Sequence, residues 1–189
     1  YLYHMGGYMI TPASRDLSTP EQRQSLKNIY QSIFFAELLA PSRPLWLFSG
    51  WISDIAIVDN RARQFQSLCP NWEAREIRLS ECLDALCDRG GTVALVLRNE
   101  EHNTAFIETI KKTNGWRTRR IGIALSDQQH AKSMIGQHSM IDGSMNYTYN
   151  GITFNDEKIV YRSDESSIHE ELIKLDGQWR SRLMWGPNE

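Results

Sequence analysis

An uninterrupted apolar run near the middle of the sequence constrains the fold more than any other feature. Residues Thr92 to Leu97 read Thr-Val-Ala-Leu-Val-Leu and are followed by a polar segment. A strand exposed on one face alternates apolar and polar residues, so this run predicts a central strand covered on both faces. The segment before it, Leu79 to Arg89, has a helical pattern and ends at Gly90-Gly91, which suit a helix C-cap.

The rest of the chain alternates between strand and helix patterns in the same way. Further strands are predicted over residues 45–48, 55–58, 119–125, 130–135, 139–142 and 158–161. Further helices are predicted from a capping Thr19 to Pro41, and over residues 60–69, 103–113 and 166–175. This alternation predicts an α/β sandwich in a single domain over residues 1–189, with residues 1–17 as an N-terminal arm or loop.

Composition narrows the class of protein. The chain has 189 residues, 41% of them hydrophobic and 23% charged, and a formal net charge of −2. These values are typical of a globular protein without a global basic field for nucleic acid. No apolar run reaches the length of a membrane span. The three cysteines have neither disulfide-framework nor zinc-site spacing, so we expect reduced, partly buried thiols in a cytoplasmic protein without a metal or other cofactor.

The residues with the clearest chemistry lie between positions 130 and 157. His130-Ala131-Lys132 is followed by Gly143-Ser144-Met145-Asn146 and then by Asn155-Asp156-Glu157. Alternate residues of a strand share a face, so the predicted strand over 130–135 places His130 and Lys132 side by side.

These residue types suit phosphodiester chemistry without a metal. A neutral imidazole such as that of His130 can attack phosphorus, and the Lys132 ammonium can neutralise the phosphoryl oxygens. Ser144 and Asn146 supply hydrogen-bond donors for the same oxygens. Glu157 can fix the tautomer and orientation of an imidazole.

This pattern resembles the HxK…GSxN motif of the phospholipase D superfamily. The specific match covers the 28 residues from His130 to Glu157, and a looser match extends from about residue 20 to 180. The resemblance implies a mixed β-sheet flanked by helices on both faces. It also implies a two-step exchange through a phosphohistidine, with His130 as nucleophile or as the acid that protonates the leaving oxygen. By the same resemblance Lys132, Ser144 and Asn146 hold the phosphate, and Glu157 orients a histidine.

The chain departs from the family pattern at one position. The family has an aspartate five residues after the lysine, where this chain has Gln137, and the spacing to the glycine is one residue short. Since that aspartate is mainly structural in the family, the departure leaves open both an active enzyme and a site that binds without turnover. Asp142 is a candidate partial replacement.

The motif occurs once, whereas the implied mechanism uses two histidines. Short members of the superfamily with a single copy are typically homodimeric nucleases with a site shared across a two-fold axis, so we expect a homodimer. Such bacterial members often belong to DNA-restriction or anti-phage systems. The resemblance therefore also suggests a defence role, with other subunits of such a system as partners.

The substrate residues are predicted less directly. Arg119 and Arg120 precede the motif and can contact a phosphate backbone, although solvated charge at a strand end is the alternative. Ser49 and Trp51, in the turn after the first predicted strand, are further candidate substrate contacts. The Trp51 ring can stack on a base, although a packed tryptophan is the commoner fate. The first interpretation is a nuclease acting on DNA or RNA. The alternatives are a phospholipase or phosphatidyltransferase, for which no amphipathic membrane anchor is seen, and a non-catalytic nucleic-acid-binding subunit of a defence complex.

Overall fold

The molecule is an α/β sandwich built on one eight-stranded mixed sheet, as the sequence predicts. The structure is a computed structural model that describes residues 14–17, 23–144, 146–148 and 159–187. The strands in these ranges are β1 (Ser14–Leu17), β2 (Leu45–Ser49), β3 (Ala56–Asp59), β4 (Glu76–Arg78), β5 (Val93–Arg98), β6 (Ile121–Ser126), β7 (Ser133–Ile135), β8 (Met140–Gly143), β9 (Ile159–Arg162) and β10 (Met184–Trp185). The helices are α1 (Arg23–Leu39), α2 (Leu79–Asp88), α3 (Thr104–Lys111), α4 (Asn114–Arg117) and α5 (Glu165–Trp179), with 3₁₀ turns at Glu101–Asn103 and Arg180–Arg182.

The main sheet has the order β1-β9-β8-β7-β2-β5-β6-β10, and β3 and β4 form a separate two-stranded sheet. Strands β2, β5 and β6 are parallel, and the remaining pairs of the main sheet are antiparallel. The register aligns Leu47 of β2 with Leu95 of β5 and with Met134 of β7. The three parallel strands therefore end at one common edge of the sheet.

Both faces of the central strands are covered by apolar side chains. Leu47 and Leu95 contribute to a core cluster with residues of α1, α2 and α3. Their neighbours Trp46 and Val96 point to the other face and pack in a second cluster with residues of α5. This double burial accounts for the continuous apolar run of β5, in which Val93 to Leu97 are all buried.

The prediction of a helix over residues 60–69 is wrong. The segment is a series of turns organised by Asn60, which is fully buried. Its side chain accepts a hydrogen bond from the Phe65 N–H (3.1 Å) and donates one to the Glu73 carbonyl (2.9 Å). Arg63 has a φ of 57°, outside the helical region. An asparagine side chain that satisfies nearby backbone groups competes with helix formation, and here it prevents it.

The prediction of an arm or loop over residues 1–17 is wrong for the four residues of this segment that the structure describes. Ser14–Leu17 forms an edge strand paired antiparallel with β9, so these residues are not a loop. Thr19 lies outside the described residues, as do residues 1–13. Helix α1 ends at Leu39, just before Pro41, as the sequence predicts.

The three cysteines are free, as expected from the sequence, and all three are buried. Burial raises the pKa of the Cys87 thiol to about 12. Within the described ranges, no helix has the length and apolar character to cross a membrane.

A buried carboxylate joins the end of α1 to the turn between β7 and β8. Glu37 is 2% exposed, and its carboxylate accepts hydrogen bonds from the Ser42 N–H and the Ser42 hydroxyl, both at 2.8 Å. The Ser42 Oγ in turn accepts the Gln137 N–H at 2.7 Å. A side chain at Gly136 would collide with the carboxylate. Burial raises the pKa of Glu37, although the two hydrogen bonds from Ser42 and, to a smaller extent, His138 oppose this.

We predict that Glu37→Gln reduces the loss of stability with rising pH. Below the ordinary glutamate pKa of 4.5 the carboxyl is protonated in both folded and unfolded chains. As the pH rises, Glu37 ionises first in the unfolded chain. The free energy of unfolding therefore falls until the pH passes the raised pKa of Glu37 in the folded protein. Urea denaturation at a series of pH values measures this fall in the wild type and in the variant.

Glu108→Gln is the matched control. The Glu108 carboxylate is exposed on α3 and pairs with Lys111, which lowers its pKa, so its contribution has the opposite sign. An equal pH dependence for the wild type and Glu37→Gln would contradict the prediction.

Candidate active site

The predicted site residues gather at the edge where the three parallel strands end. Loops leave this edge after Ser49 of β2, Arg98 of β5 and Ser126 of β6. Strand β7 starts here, because Ser133 pairs with Phe48, and β8 ends here. Ligands of α/β sheets commonly bind at the carboxyl ends of the strands.

His130 lies in the loop between β6 and β7, and its side chain is exposed. The prediction that it belongs to a strand is wrong, because β7 begins only at Ser133. The shared-face argument for His130 and Lys132 therefore does not apply. The loop is held by Gln129, which is buried and donates from Nε2 to the carbonyls of Ala131 (3.1 Å) and Val96 (3.5 Å). These bonds fix the backbone on either side of the histidine.

Lys132 nevertheless stays beside His130. Its Nζ donates to the His130 carbonyl at 2.8 Å, and its side chain is half-buried. The Lys132 carbonyl accepts the Gly143 N–H at 3.1 Å, which extends the pairing of β7 with β8 by one bond. An imidazole and an ammonium thus share one short loop at the strand ends.

Asn146 reaches the same edge from the segment after β8. Its Oδ1 accepts the Trp51 N–H at 3.1 Å, which orients the amide so that Nδ2 is the atom available to donate. A Cβ placed on Gly50 would lie 3.3 Å from this Oδ1 and 3.8 Å from the Gln129 carbonyl. Gly50 is therefore the point where the histidine loop and the asparagine segment both approach β2.

Tyr147 fixes the segment that carries Asn146. Its N–H donates to Ser49 Oγ (3.4 Å), its carbonyl accepts the Ser53 N–H (2.8 Å), and its backbone pairs with Ile52. The buried ring packs edge-on against Tyr30, and the two hydroxyls lie 3.5 Å apart. Burial raises the pKa of both phenols, so they stay protonated.

Ser49 has a structural position and is not at the surface. It is fully buried, donates from Oγ to the Trp51 carbonyl at 2.6 Å and accepts from Tyr147. It lies beneath the loop, so the predicted substrate contact is replaced by a role in holding Trp51. Ser144, by contrast, is exposed just after β8.

Trp51 presents an aromatic surface next to the site. It is 50% exposed, and its ring centroid lies 6.2 Å from that of His102. The His102 Nε2 is 3.2 Å from Ser53 Oγ. The sequence offered no signal for His102 beyond an ordinary surface histidine.

Asn103 is the second residue that sequence reasoning missed. Its side chain is completely buried and makes three hydrogen bonds with main-chain groups. Its Oδ1 accepts the Ile52 N–H (2.8 Å), and its Nδ2 donates to the carbonyls of Gly50 (2.9 Å) and Arg98 (2.8 Å). It therefore joins the loops that follow β2 and β5. The pattern alone marked it only as the start of a helix.

Several predicted residues lie elsewhere. Arg119 and Arg120 precede β6, whereas His130 follows it, so they lie at the opposite edge of the sheet. Glu157 lies outside the described residues. Gln137 is exposed in the turn between β7 and β8, at the far end of β7 from His130, with its N–H held by Ser42. The departure from the family pattern thus falls in a turn that Ser42 and Glu37 anchor.

The described residues contain no group of three or more histidine, cysteine, aspartate or glutamate side chains placed to hold a metal ion. The chemistry available at this edge is that of an exposed imidazole, an ammonium, a hydroxyl and an oriented amide.

Solved structures show that this fold is the phospholipase D-like α/β sandwich. The chain is similar to Nuc, a phospholipase D family member from Salmonella typhimurium, with 14% identity, coverage of 94% of this chain and 100% of that one, and a TM-score of 0.56. It is equally similar to NucT from Helicobacter pylori, with 13% identity, coverage of 91% and 98%, and a TM-score of 0.57.

A third similar structure is longer. Phosphatidylserine synthase from Haemophilus influenzae is 10% identical, and the match covers 91% of this chain and 39% of that one with a TM-score of 0.51. No family model and no curated protein sequence match the chain.

We predict that Asn103→Asp destabilises the fold by roughly 2 kcal/mol or more. In the wild type the Asn103 Nδ2 donates to the carbonyls of Gly50 and Arg98, and the variant would place a carboxylate oxygen against both of them. Urea denaturation at neutral pH measures the loss, and hydrogen exchange at the Ile52 N–H reports the local loosening. Asn99→Ala, at an exposed position on the same loop, is the control and should stay within about 0.5 kcal/mol of the wild type. Equal stability of Asn103→Asp and the wild type would contradict the proposed role of Asn103 in joining the loops that follow β2 and β5.

Proposed function

We propose that the protein is a metal-independent phosphodiesterase, most specifically a nuclease acting on DNA or RNA. The observation that carries the proposal is the placement of His130 and Lys132 in one fixed loop, beside the oriented amide of Asn146. The fold it shares with Nuc supports the same assignment.

The proposed reaction proceeds in two displacements at phosphorus. An imidazole nitrogen of His130 attacks, the bond from phosphorus to the leaving oxygen breaks, and a second histidine protonates that oxygen. Water, deprotonated by the second histidine, then hydrolyses the phosphohistidine and restores both residues. Lys132, Ser144 and the Asn146 Nδ2 stabilise the charge on the non-bridging oxygens. Glu157 is the proposed orienting carboxylate.

The second histidine is proposed to come from a second copy of the chain. None of the other four histidines is followed two residues later by lysine. A two-fold axis passing near the His130 loops would bring two identical motifs to one phosphate. The functional unit proposed is therefore a homodimer.

Nucleic acid is favoured as substrate by the half-exposed Trp51. An aromatic face beside the reacting groups can stack on a base whatever its sequence. The lipid enzyme is the second candidate, since phosphatidylserine synthase shares the fold. From the family resemblance we further propose a cytoplasmic protein of an anti-phage system, working with other subunits of that system.

We predict that cleavage of a fluorescent oligonucleotide persists in excess EDTA and is reduced at least about 1,000-fold by His130→Ala, because the nucleophile is lost. Lys132→Ala should reduce the rate by about 100-fold through loss of charge stabilisation. His169→Ala and Lys174→Ala, exposed on α5, are matched controls and should retain full activity.

The same preparation separates the alternatives. Activity that requires added divalent metal would contradict the mechanism. Headgroup release from phospholipid vesicles without oligonucleotide cleavage would identify the lipid enzyme. Tight, salt-sensitive oligonucleotide binding without turnover, unchanged in His130→Ala, would identify a binding subunit.

We also predict that His130→Ala is dominant in mixed dimers. When equal amounts of wild-type and variant chains are co-expressed and associate at random, activity should fall to about a quarter of the wild-type value, because only dimers with two histidines are complete. Differently tagged chains allow each dimer to be purified and assayed. A value of about one half would show that each chain acts alone and would overturn the shared site.

A further inference from the structure

A cavity lies at the edge of the sheet opposite His130. It has a volume of about 360 Å³ and is formed where the parallel strands β2, β5 and β6 begin, against the end of α5. Its lining includes three arginines and two tryptophans: Arg43, Arg119, Arg180, Trp46 and Trp185. Strand β6 has six residues, so about 20 Å separates this cavity from the candidate active site.

The cavity carries an excess of positive charge. Arg43 and Arg119 are exposed, and no carboxylate in the described part of the chain forms an ion pair with either. The one acidic lining residue, Asp176, accepts a hydrogen bond from Arg180 Nε at 2.6 Å. Two guanidinium groups are therefore left to meet an anion, and their planar donor pattern matches phosphate oxygens.

The cavity wall is aromatic. Trp185 of β10 pairs with Gly122 of β6, and a Cβ on that glycine would lie 3.0 Å from the indole ring. The glycine lets the indole lie directly on the backbone of β6, which fixes its orientation. Trp46 is buried in the core beside α5 and presents only a small part of its surface. A fixed indole next to unpaired guanidiniums suits a ligand with both a planar ring and a phosphate.

Arg119 adopts an unusual backbone conformation at this cavity. Its φ is 57°, in the left-handed region that glycine and asparagine adopt more readily than arginine. Strained residues of this kind concentrate at ligand sites. The chain thus has arginine where the backbone alone would favour a smaller residue.

We propose that this cavity binds a nucleoside phosphate, with the phosphate on Arg43 and Arg119 and the planar ring against Trp185. The ligand is either a free nucleotide or one unit of a nucleic acid strand, since both offer the same chemistry. The site is separate from His130 and does not depend on the activity proposed above.

The test uses the His130→Ala variant of the whole 189-residue chain in EDTA, so that cleavage cannot remove the ligand. Calorimetric titration with AMP measures affinity, and an oligothymidylate is titrated in parallel. Arg119→Asn and Arg43→Gln should each weaken binding about tenfold or more, because each removes a charged donor to phosphate. Trp185→Phe should weaken AMP more than inorganic phosphate. Arg119→Asn should at the same time keep or raise the melting temperature.

Two matched variants separate a site from general effects. Arg63→Asn changes the other described arginine with positive φ, which does not line the cavity, and should leave affinity unchanged. Arg117→Asn removes an exposed arginine of α4 that does not line the cavity, and should also have little effect. A loss of affinity that is confined to the variants Arg43→Gln and Arg119→Asn would support the proposed site.

The two sources of ligand give different results. If the oligothymidylate also loses affinity in Arg119→Asn, and AMP competes with it, the ligand is a unit of a strand. If AMP binding alone depends on Arg119, the ligand is a free nucleotide. The proposal is overturned if neither ligand depends on Arg43 and Arg119, if Arg117→Asn is as harmful as Arg119→Asn, or if AMP binding is lost in Lys132→Ala.

Discussion

The need to cover both faces of three parallel strands shapes the whole molecule. Strands β2, β5 and β6 are buried on either side, so helices must pack on both faces of the sheet. Parallel strands also require a crossover between successive members, and these crossovers contain α2 on one passage and α3 with α4 on the next. As a result all three strands end at one edge. The loops that carry His130, Trp51 and Asn103 meet there because the strands are parallel.

Buried amides and a buried hydroxyl, more than charges, hold these loops in place. Asn103, Gln129 and Ser49 are buried, and each makes its hydrogen bonds mainly with the backbone of the candidate site. A buried polar group that lost these partners would be costly, so each bond specifies one loop conformation. The exposed His130 and the half-exposed Trp51 can face a substrate because the groups beneath them are fixed.

The sequence identified the elements whose burial is continuous or periodic. The apolar run of β5 and the helix α2 before Gly90 were predicted nearly to the residue, because burial and the C-cap leave direct patterns. The motif residues from His130 to Asn146 were predicted from their types, and the structure brings His130, Lys132 and Asn146 to one edge.

Other features depend on contacts that no local pattern records. Asn60 replaces a predicted helix with turns by bonding to residues up to Glu73, and Asn103 joins loops about 50 positions apart in the sequence. Strand β1 forms only because β9, at the other end of the chain, provides a pairing edge. Arg119 and Arg120 precede the motif closely in the sequence. Strand β6 lies between Arg120 and His130, however, so the two arginines and the motif are at opposite edges of the sheet.

The hydrogen bonds between the loop after β2 and the segment after β8 have a consequence for biosynthesis. The acceptor of the Trp51 N–H is Asn146, and the acceptor of the Ser53 N–H is Tyr147, both almost a hundred positions later in the chain. A nascent chain that has emerged only as far as β6 therefore has His102 and the oriented Asn103 but lacks the histidine loop and its amide partner. Contacts so distant along the chain form late during folding. Trp51 and the candidate site residues from His130 to Asn146 can therefore come together only after most of the polypeptide has been made.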